Sequence, residues 1–186
     1  HTCARRLHST LGEAVRTVVA ISHLTTIIVG EGKHKVEERC LAEPIKLVGD
    51  PEVAKEKIVV IGGIYLMKGI QGNCHLQHMT LRQAKGDGVY GLSSFTMEDV
   101  IVERCGGDGV VASGTGIVGR CTNVEVRQCG KSGVFARNGA SITLIGTKTA
   151  VHDNCTKGKH NDYGLIVAGA FSIIQLVSPL TKEQVS

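Results

Sequence analysis

No tryptophan occurs in this 186-residue sequence, and only three Phe and three Tyr do. A globular core of this size normally leans on several large aromatics, so a core of that kind is excluded. Stacking of successive bases on aromatic rings is excluded for the same reason. The 21 Lys and Arg against 17 Asp and Glu leave a net charge of +4, scattered along the chain, so no nucleic-acid partner is expected. No run of 18 apolar residues exists, so neither a membrane-spanning helix nor a membrane partner is expected. Cys-x-x-Cys pairs are missing as well, although there are seven cysteines: Cys3, Cys40, Cys74, Cys105, Cys121, Cys129 and Cys155. Zinc or dithiol redox chemistry therefore has no motif to stand on.

What is abundant is small and branched. Val, Ile and Leu accompany 24 glycines, a composition suited to a thin core of repeated aliphatic layers. The repeat itself is visible. Met79-Thr80-Leu81-Arg82-Gln83-Ala84 is followed by Gly88-Val89-Tyr90-Gly91, and Val100-Ile101-Val102-Glu103-Arg104-Cys105 by Gly109-Val110-Val111-Ala112. Val124-Glu125-Val126-Arg127-Gln128-Cys129 leads to Gly133-Val134-Phe135-Ala136, and Thr149-Ala150-Val151 through Cys155 leads to Gly164-Leu165-Ile166-Val167. Leu81, Val102, Val126 and Val151 are thus 21, 24 and 25 residues apart. Each unit reads as a short alternating strand, a turn, a glycine, a second short strand and then a third strand such as Ser141-Ile142-Thr143-Leu144.

A period of 20 to 25 without a helical stretch is one coil of a parallel β-helix. A lone coil cannot bury its apolar side, but coils stacked about 4.8 Å apart share one dry interior. The predicted fold is therefore all-β, a single-stranded right-handed parallel β-helix of six to seven coils over residues 25–178. Residues 1–24 would be an N-terminal segment with a capping helix, from Leu11, Ala14, Val15, Val18 and Val19 at helical spacing after Ser9-Thr10. Residues 179–186 would be a tail, and Lys55-Glu56-Lys57 a solvated turn.

In that arrangement Ala84, Cys105, Cys129 and Cys155 fall in line, a ladder of small buried thiols. Reduced cysteines and an odd count point to an intracellular setting. The sequon Asn154-Cys155-Thr156 points the other way, as does an opening on His1 and not Met, and secretion stays open.

Thr25-Thr26-Ile27-Ile28-Val29 with Gly30-Glu31-Gly32-Lys33-His34, then Pro44-Ile45-Lys46-Leu47-Val48-Gly49-Asp50 and Lys57-Ile58-Val59-Val60-Ile61-Gly62-Gly63, resemble the first coils of the pectin-lyase-like superfamily. The later Val-x-Val-x-x-Cys…Gly-Val units are similar to the β-helix repeats of carbohydrate-binding and sugar-hydrolase domains. The resemblance spans roughly residues 10 to 178 and is specific for fold. It implies either a carbohydrate-active enzyme or a non-catalytic member whose ladder surface binds a partner. The Gly-His-Gly with paired aspartates of polygalacturonase-like hydrolases is absent. So are the Gln/Asp/Arg set of pectin methylesterases and the Tyr-Gly…Asp-Pro-His of alginate epimerases.

Three candidate sites follow. The outward ladder Arg82, Glu103, Arg127, His152 lies on the face that carries the cleft in superfamily lyases. On that reading Arg82, Arg127 and His152 are catalytic, with Arg127 or His152 as base, and Asp87 and Asp108 hold calcium. The alternative for the same residues is a solvated ladder of alternating charges beside ordinary Asp-Gly turns. The second ladder is Tyr90, Val111, Phe135, Ile166, an apolar stripe pointing away from the core. It binds a partner, with Glu103 of the charged face as a further contact, or else the tail 177–186 covers it. The third candidate is the six-residue insertion after Asp153, where His152, Asp153, His160 and Asp162 would gather around a metal or anionic sugar, or form a mobile polar loop. His75 and His78 read as surface residues.

The function expected is a non-catalytic recognition or assembly module, binding a protein partner or a polysaccharide and open to homo-oligomerisation. It would need no cofactor. The alternative is a lyase or epimerase acting on acidic polysaccharide, with Ca2+ as its cofactor.

Overall fold

The computed structural model describes residues 26–36, 39–158, 163–177, 179–180 and 182–185, together with Leu11 and Glu13. Within them the chain is a parallel β-solenoid of the right-handed type. The strands in chain order begin with β1 (Thr26–Val29), β2 (Gly32–Lys35), β3 (Arg39–Leu41), β4 (Lys46–Gly49), β5 (Ile58–Ile61) and β6 (Ile64–Leu66). Next come β7 (Cys74–Arg82), β8 (Val89–Gly91), β9 (Phe95–Glu103), β10 (Val110–Ser113), β11 (Val118–Thr122) and β12 (Glu125–Arg127). The last are β13 (Val134–Arg137), β14 (Ser141–Ile145), β15 (Ala150–His152), β16 (Leu165–Ala168) and β17 (Ile173–Leu176). Two 3-10 turns, Lys55–Lys57 and Lys182–Val185, interrupt the pattern.

Three faces result. The first runs β1-β4-β7-β9-β11-β14-β17 and the third β3-β6-β8-β10-β13-β16. The second holds β2, β5, the later halves of β7 and β9, then β12 and β15. The second and third faces each have six strands and so five stacking steps, and the solenoid amounts to about five turns. That is fewer than the six to seven predicted; of a further circuit only β17 is present among the described residues.

The predicted ladders stand in register. Leu81, Val102, Val126 and Val151 lie one above another and are fully buried, each worth about 1.5–3 kcal/mol of transfer from water. Val89, Val110, Val134 and Leu165 align on the third face. Gly91 and Ala112 are small there for a concrete reason. The ring of Phe95 fills the interior beside Gly91, where a Cβ would come within 2.5 Å of it, and Ala112 is the next rung of the same column.

The corners are tighter than turn-forming residues alone would suggest. His78, Asp99 and Asn123 adopt positive φ at the first corner, and Gln83, Arg104, Gln128 and Asp153 at the second. At the first corner one left-handed residue bends the chain without a loop, while at the second it opens a short turn that leads to the third face. Asn, Asp and His tolerate this conformation; Gln and Arg are not chosen for it, and the repeat imposes it on them.

The thiol ladder is present. Gly106 N–H donates to Ala84 O, Gly130 N–H to Cys105 O and Thr156 N–H to Cys129 O, which sets positions 84, 105, 129 and 155 in a column. Cys74, Cys105, Cys121, Cys129 and Cys155 are free thiols. Burial pushes the Cys121 thiol up to about 12, so it stays protonated.

The predicted capping helix lies for the most part outside the described residues; of it, Leu11 is helical and buried in the core, and Glu13 is helical and exposed. In the tail, Leu180 and Val185 are buried, and the turn Lys182–Val185 packs against β15. Gln184 Nε2 donates to Thr147 O at 3.5 Å. Among the described residues no helix is long and apolar enough to cross a membrane.

Candidate functional site

On the second face, strands β7, β9, β12 and β15 bring Arg82, Glu103, Arg127 and His152 into one rung-by-rung ladder. It is not the solvated ladder that alternating charges suggest. Glu103 is 2 % exposed. Its Oε1 accepts from Arg82 Nε at 2.5 Å and its Oε2 from Arg127 Nε at 2.8 Å. Arg127 Nη1 then donates to Glu125 Oε1 at 2.5 Å, and His152 lies between Glu125 Oε1 at 3.2 Å and Asp153 Oδ2 at 2.8 Å. Six ionisable side chains therefore satisfy one another in a single chain.

The electrostatics follow from that geometry. Burial alone would raise the Glu103 carboxyl, but the Arg127 and Arg82 guanidiniums reverse this and hold it below the usual carboxylate range. Burial would lower Arg127, yet its bond to Glu103 and the charge of Glu125 hold it above its ordinary value. Asp153, then Glu125, outweigh the burial of His152 and raise its imidazole too. A base must surrender its proton near neutral pH. Arg127 is pushed away from that condition, and both ring nitrogens of His152 are engaged by carboxylates.

The carboxylates proposed for calcium sit in successive turns and face backbone. Asp87 Oδ1 accepts the Asp108 N–H at 2.8 Å, and Asp108 Oδ1 accepts the Ser132 N–H at 2.9 Å. Each stitches one coil to the next. Calcium takes six to eight oxygens; among the described residues no three His, Cys, Asp or Glu side chains gather in a way that could hold a metal ion. This donor set does not fit calcium.

The third-face stripe is in register from Tyr65 through Tyr90, Val111 and Phe135 to Ile166. Tyr65, which the repeat alignment does not reach, extends it by one coil and stacks on Tyr90 with centroids 5.4 Å apart. Val111 is 1 % exposed, while the two Tyr, Phe135 and Ile166 are half-buried. Arg137 folds across the stripe. Its guanidinium carbon lies 5.3 Å from the Tyr90 centroid and 5.5 Å from that of Phe135, and Nη2 donates to Tyr90 Oη at 2.5 Å. The buried Nε of Arg137 makes no hydrogen bond to a described residue. The described part of the tail packs on the second-face strand β15.

In the insertion, His160 and Asp162 lie outside the described residues. The sequon asparagine is committed: Asn154 Oδ1 accepts the Cys129 N–H and Nδ2 donates to Val126 O, both at 3.0 Å.

One arrangement has no counterpart in the sequence reading. Residues 50–57 lie against the second face, tied there by Lys55 and two surface groups. Lys55 Nζ contacts Asp99 Oδ1 at 2.6 Å, His78 Nδ1 bonds Asp99 Oδ2 at 2.7 Å, and His78 Nε2 donates to Val53 O at 2.8 Å. Thr80 Oγ1 donates to Lys55 O at 3.0 Å. Burial works against the imidazolium of His78, but the Val53 carbonyl and the Asp99 carboxylate raise it above the ordinary value. Asp99 is raised by burial and lowered more by Lys55 and His78. The clamp is therefore complete between the free values of about 3.9 and 6.5. It is lost as pH rises through the higher folded value of His78, or falls through the lower one of Asp99. His78→Ala is expected to speed tryptic cleavage at Lys55 and Lys57 roughly fivefold, equivalent to about 1 kcal/mol for a part-exposed pair. Unchanged cleavage would show that the segment is held by other contacts.

No family model, curated protein or solved structure matches this chain.

Proposed function

We propose that this protein is a non-catalytic recognition module of the pectin-lyase-like kind, which binds an acidic polysaccharide along its third face. The observation that carries this reading is the outward column Tyr65–Tyr90–Val111–Phe135–Ile166 with Arg137 laid across it. An apolar column with rings on three of its five rungs, Tyr65, Tyr90 and Phe135, suits a linear polymer of repeating units. Aromatic side chains supply large contact area at small entropic cost. The guanidinium offers a carboxylate partner. No cofactor enters this reading.

The second face supports the same conclusion by a different route. Arg82, Arg127 and His152 are each already bonded to a carboxylate, which weighs against the lyase or epimerase alternative.

Electrophoresis through gels containing polygalacturonate or alginate is expected to retard the protein. Phe135→Asp and Tyr90→Ala should each weaken the retardation roughly thirtyfold in apparent Kd, the equivalent of about 2 kcal/mol for a central aromatic anchor. Equal mobility with and without polymer would remove the polysaccharide ligand. Accumulation of unsaturated uronate absorbance with calcium would restore the lyase.

A further inference from the structure

The first corner of the solenoid is uneven from coil to coil. In three successive coils a left-handed residue makes it: His78 within β7, Asp99 within β9 and Asn123 just after β11. Elsewhere it takes two residues, 30–31, or four, 146–149. Between β4 and β5 it takes eight, 50–57. Insertions into a repeat gather on one face of a solenoid, often the face that functions. This one folds along the second face, where its turn Lys55–Lys57 packs on β5, β7 and β9.

What lies beneath it is unusual for an outer surface. The column Val59, Thr80, Ile101 alternates with the inward ladders and so points away from the interior. These residues are nevertheless 4 %, 1 % and 2 % exposed. Further along the same column, Glu125 and Ala150 are half-buried. We infer that residues 50–57 form a lid over the second face, latched shut by the doubly protonated ring of His78.

The latch follows from what the ring meets. Nδ1 faces the Asp99 carboxylate at 2.7 Å and Nε2 the Val53 carbonyl at 2.8 Å, acceptors both. An imidazole donates at both nitrogens only as the cation. The neutral ring turns a lone pair either on the lid or on the carboxylate that holds Lys55 at 2.6 Å. Asp99 from β9 and Lys55 from the lid are the charged groups that act on the ring among the described residues, and β5 carries none. The bond from Thr80 Oγ1 to Lys55 O does not titrate and sets where the lid lands. Its ends are fixed, Asp50 N–H on Val29 O and Ile58 fully buried at the head of β5. The lid therefore opens by lifting its middle. Burial opposes the charge on His78, and the two acceptors outweigh it. The latch is then complete below the free value of about 6.5 and released as pH rises through the higher folded one. Opening bares Val59, Thr80 and Ile101 beside the Arg82–Glu103 pair.

Iodoacetamide modification of Ile101→Cys in the intact chain reads the uncovering, with peptide masses separating this thiol from the native ones. At each pH the rate is compared with that of the same chain also carrying His78→Ala, which cancels the shared dependence on thiolate. The double variant should react about fivefold faster near pH 6 and no faster near pH 9, as expected for a part-exposed pair. Equal rates near pH 6, or a ratio that does not change with pH, overturn the inference. Hydrogen exchange in the unsubstituted chain tests it without any replacement in the face. The Val53 and Lys57 amides bond to Asp50 O and Ala54 O within the lid. Their protection relative to free peptide should fall about fivefold over the same range, and protection constant with pH overturns the lid as well. The polysaccharide reading is untouched by either result, since it concerns the third face.

Discussion

Replacing Arg82 and Arg127 together by alanine is expected to cost about 3–5 kcal/mol of folding free energy, the penalty for stranding a buried charge. The stranded group is Glu103, at 2 % exposure the least accessible carboxylate among the described residues. Each single variant leaves one guanidinium on the carboxylate and should cost far less, so the two losses should not add. The pH dependence is diagnostic. In the parent, Glu103 titrates below the free value of about 4.3. Its contribution is present above that value and lost as pH falls through the folded one. In the double variant only burial remains, and the folded value moves above the free one. The deficit should then be largest near neutral pH and shrink on acidification. Urea unfolding at neutral and mildly acid pH measures both. A loss under about 1 kcal/mol, constant with pH, would mean that Glu103 is solvated and the pairs are ordinary surface ones.

Gly109→Ala should be comparably damaging although it adds one methyl group. A Cβ there would come 2.3 Å from Val126 Cγ1 and 2.6 Å from Gly133 O. The side chain could yield, but the carbonyl belongs to the next coil, where it accepts the Val110 N–H at 2.9 Å. The coils must part or the ladder must break, at a cost of about 3 kcal/mol, the upper end of ordinary overpacking. Gly30→Ala is the matched control. Nothing lies within 4 Å of its position, and a change within about 0.5 kcal/mol is expected. Thermal unfolding of the pair separates the two cases. Equal midpoints would show that coil spacing is looser than the ladders imply.

Gly109 also marks how far the sequence could be read. Gly88, Gly109 and Gly133 recur seven residues after Leu81, Val102 and Val126 because three stacked coils impose the same close approach at the same point. Any constraint repeated once per coil shows as periodicity, and the interior ladders and the thiol column were legible for that reason. Features made once left no such trace. Lys55 reads as solvated in the sequence, and its bond to Asp99 spans 44 residues. The Phe95 ring that sets the size of Gly91 has no counterpart in the neighbouring coils. Arg104 and Gln128 carry no turn signature, so the left-handed corners were hidden in ordinary residues. At the candidate sites the residues were found but their state was not. Alternation of Arg82, Glu103 and Arg127 gives the order of charges along the face. Whether they are solvated depends on how closely the coils pack, and sequence spacing does not carry that.

The methyl–methyl nuclear Overhauser effect between Val102 and Val126 tests the account most directly. Residues 24 apart in the sequence are placed on adjacent rungs, with backbones about 4.8 Å apart. A strong cross-peak is expected there, with matching ones from Leu81 to Val102 and from Val126 to Val151. Absence of all three from a folded, fully assigned spectrum would contradict the stacked-coil fold and every surface column built upon it.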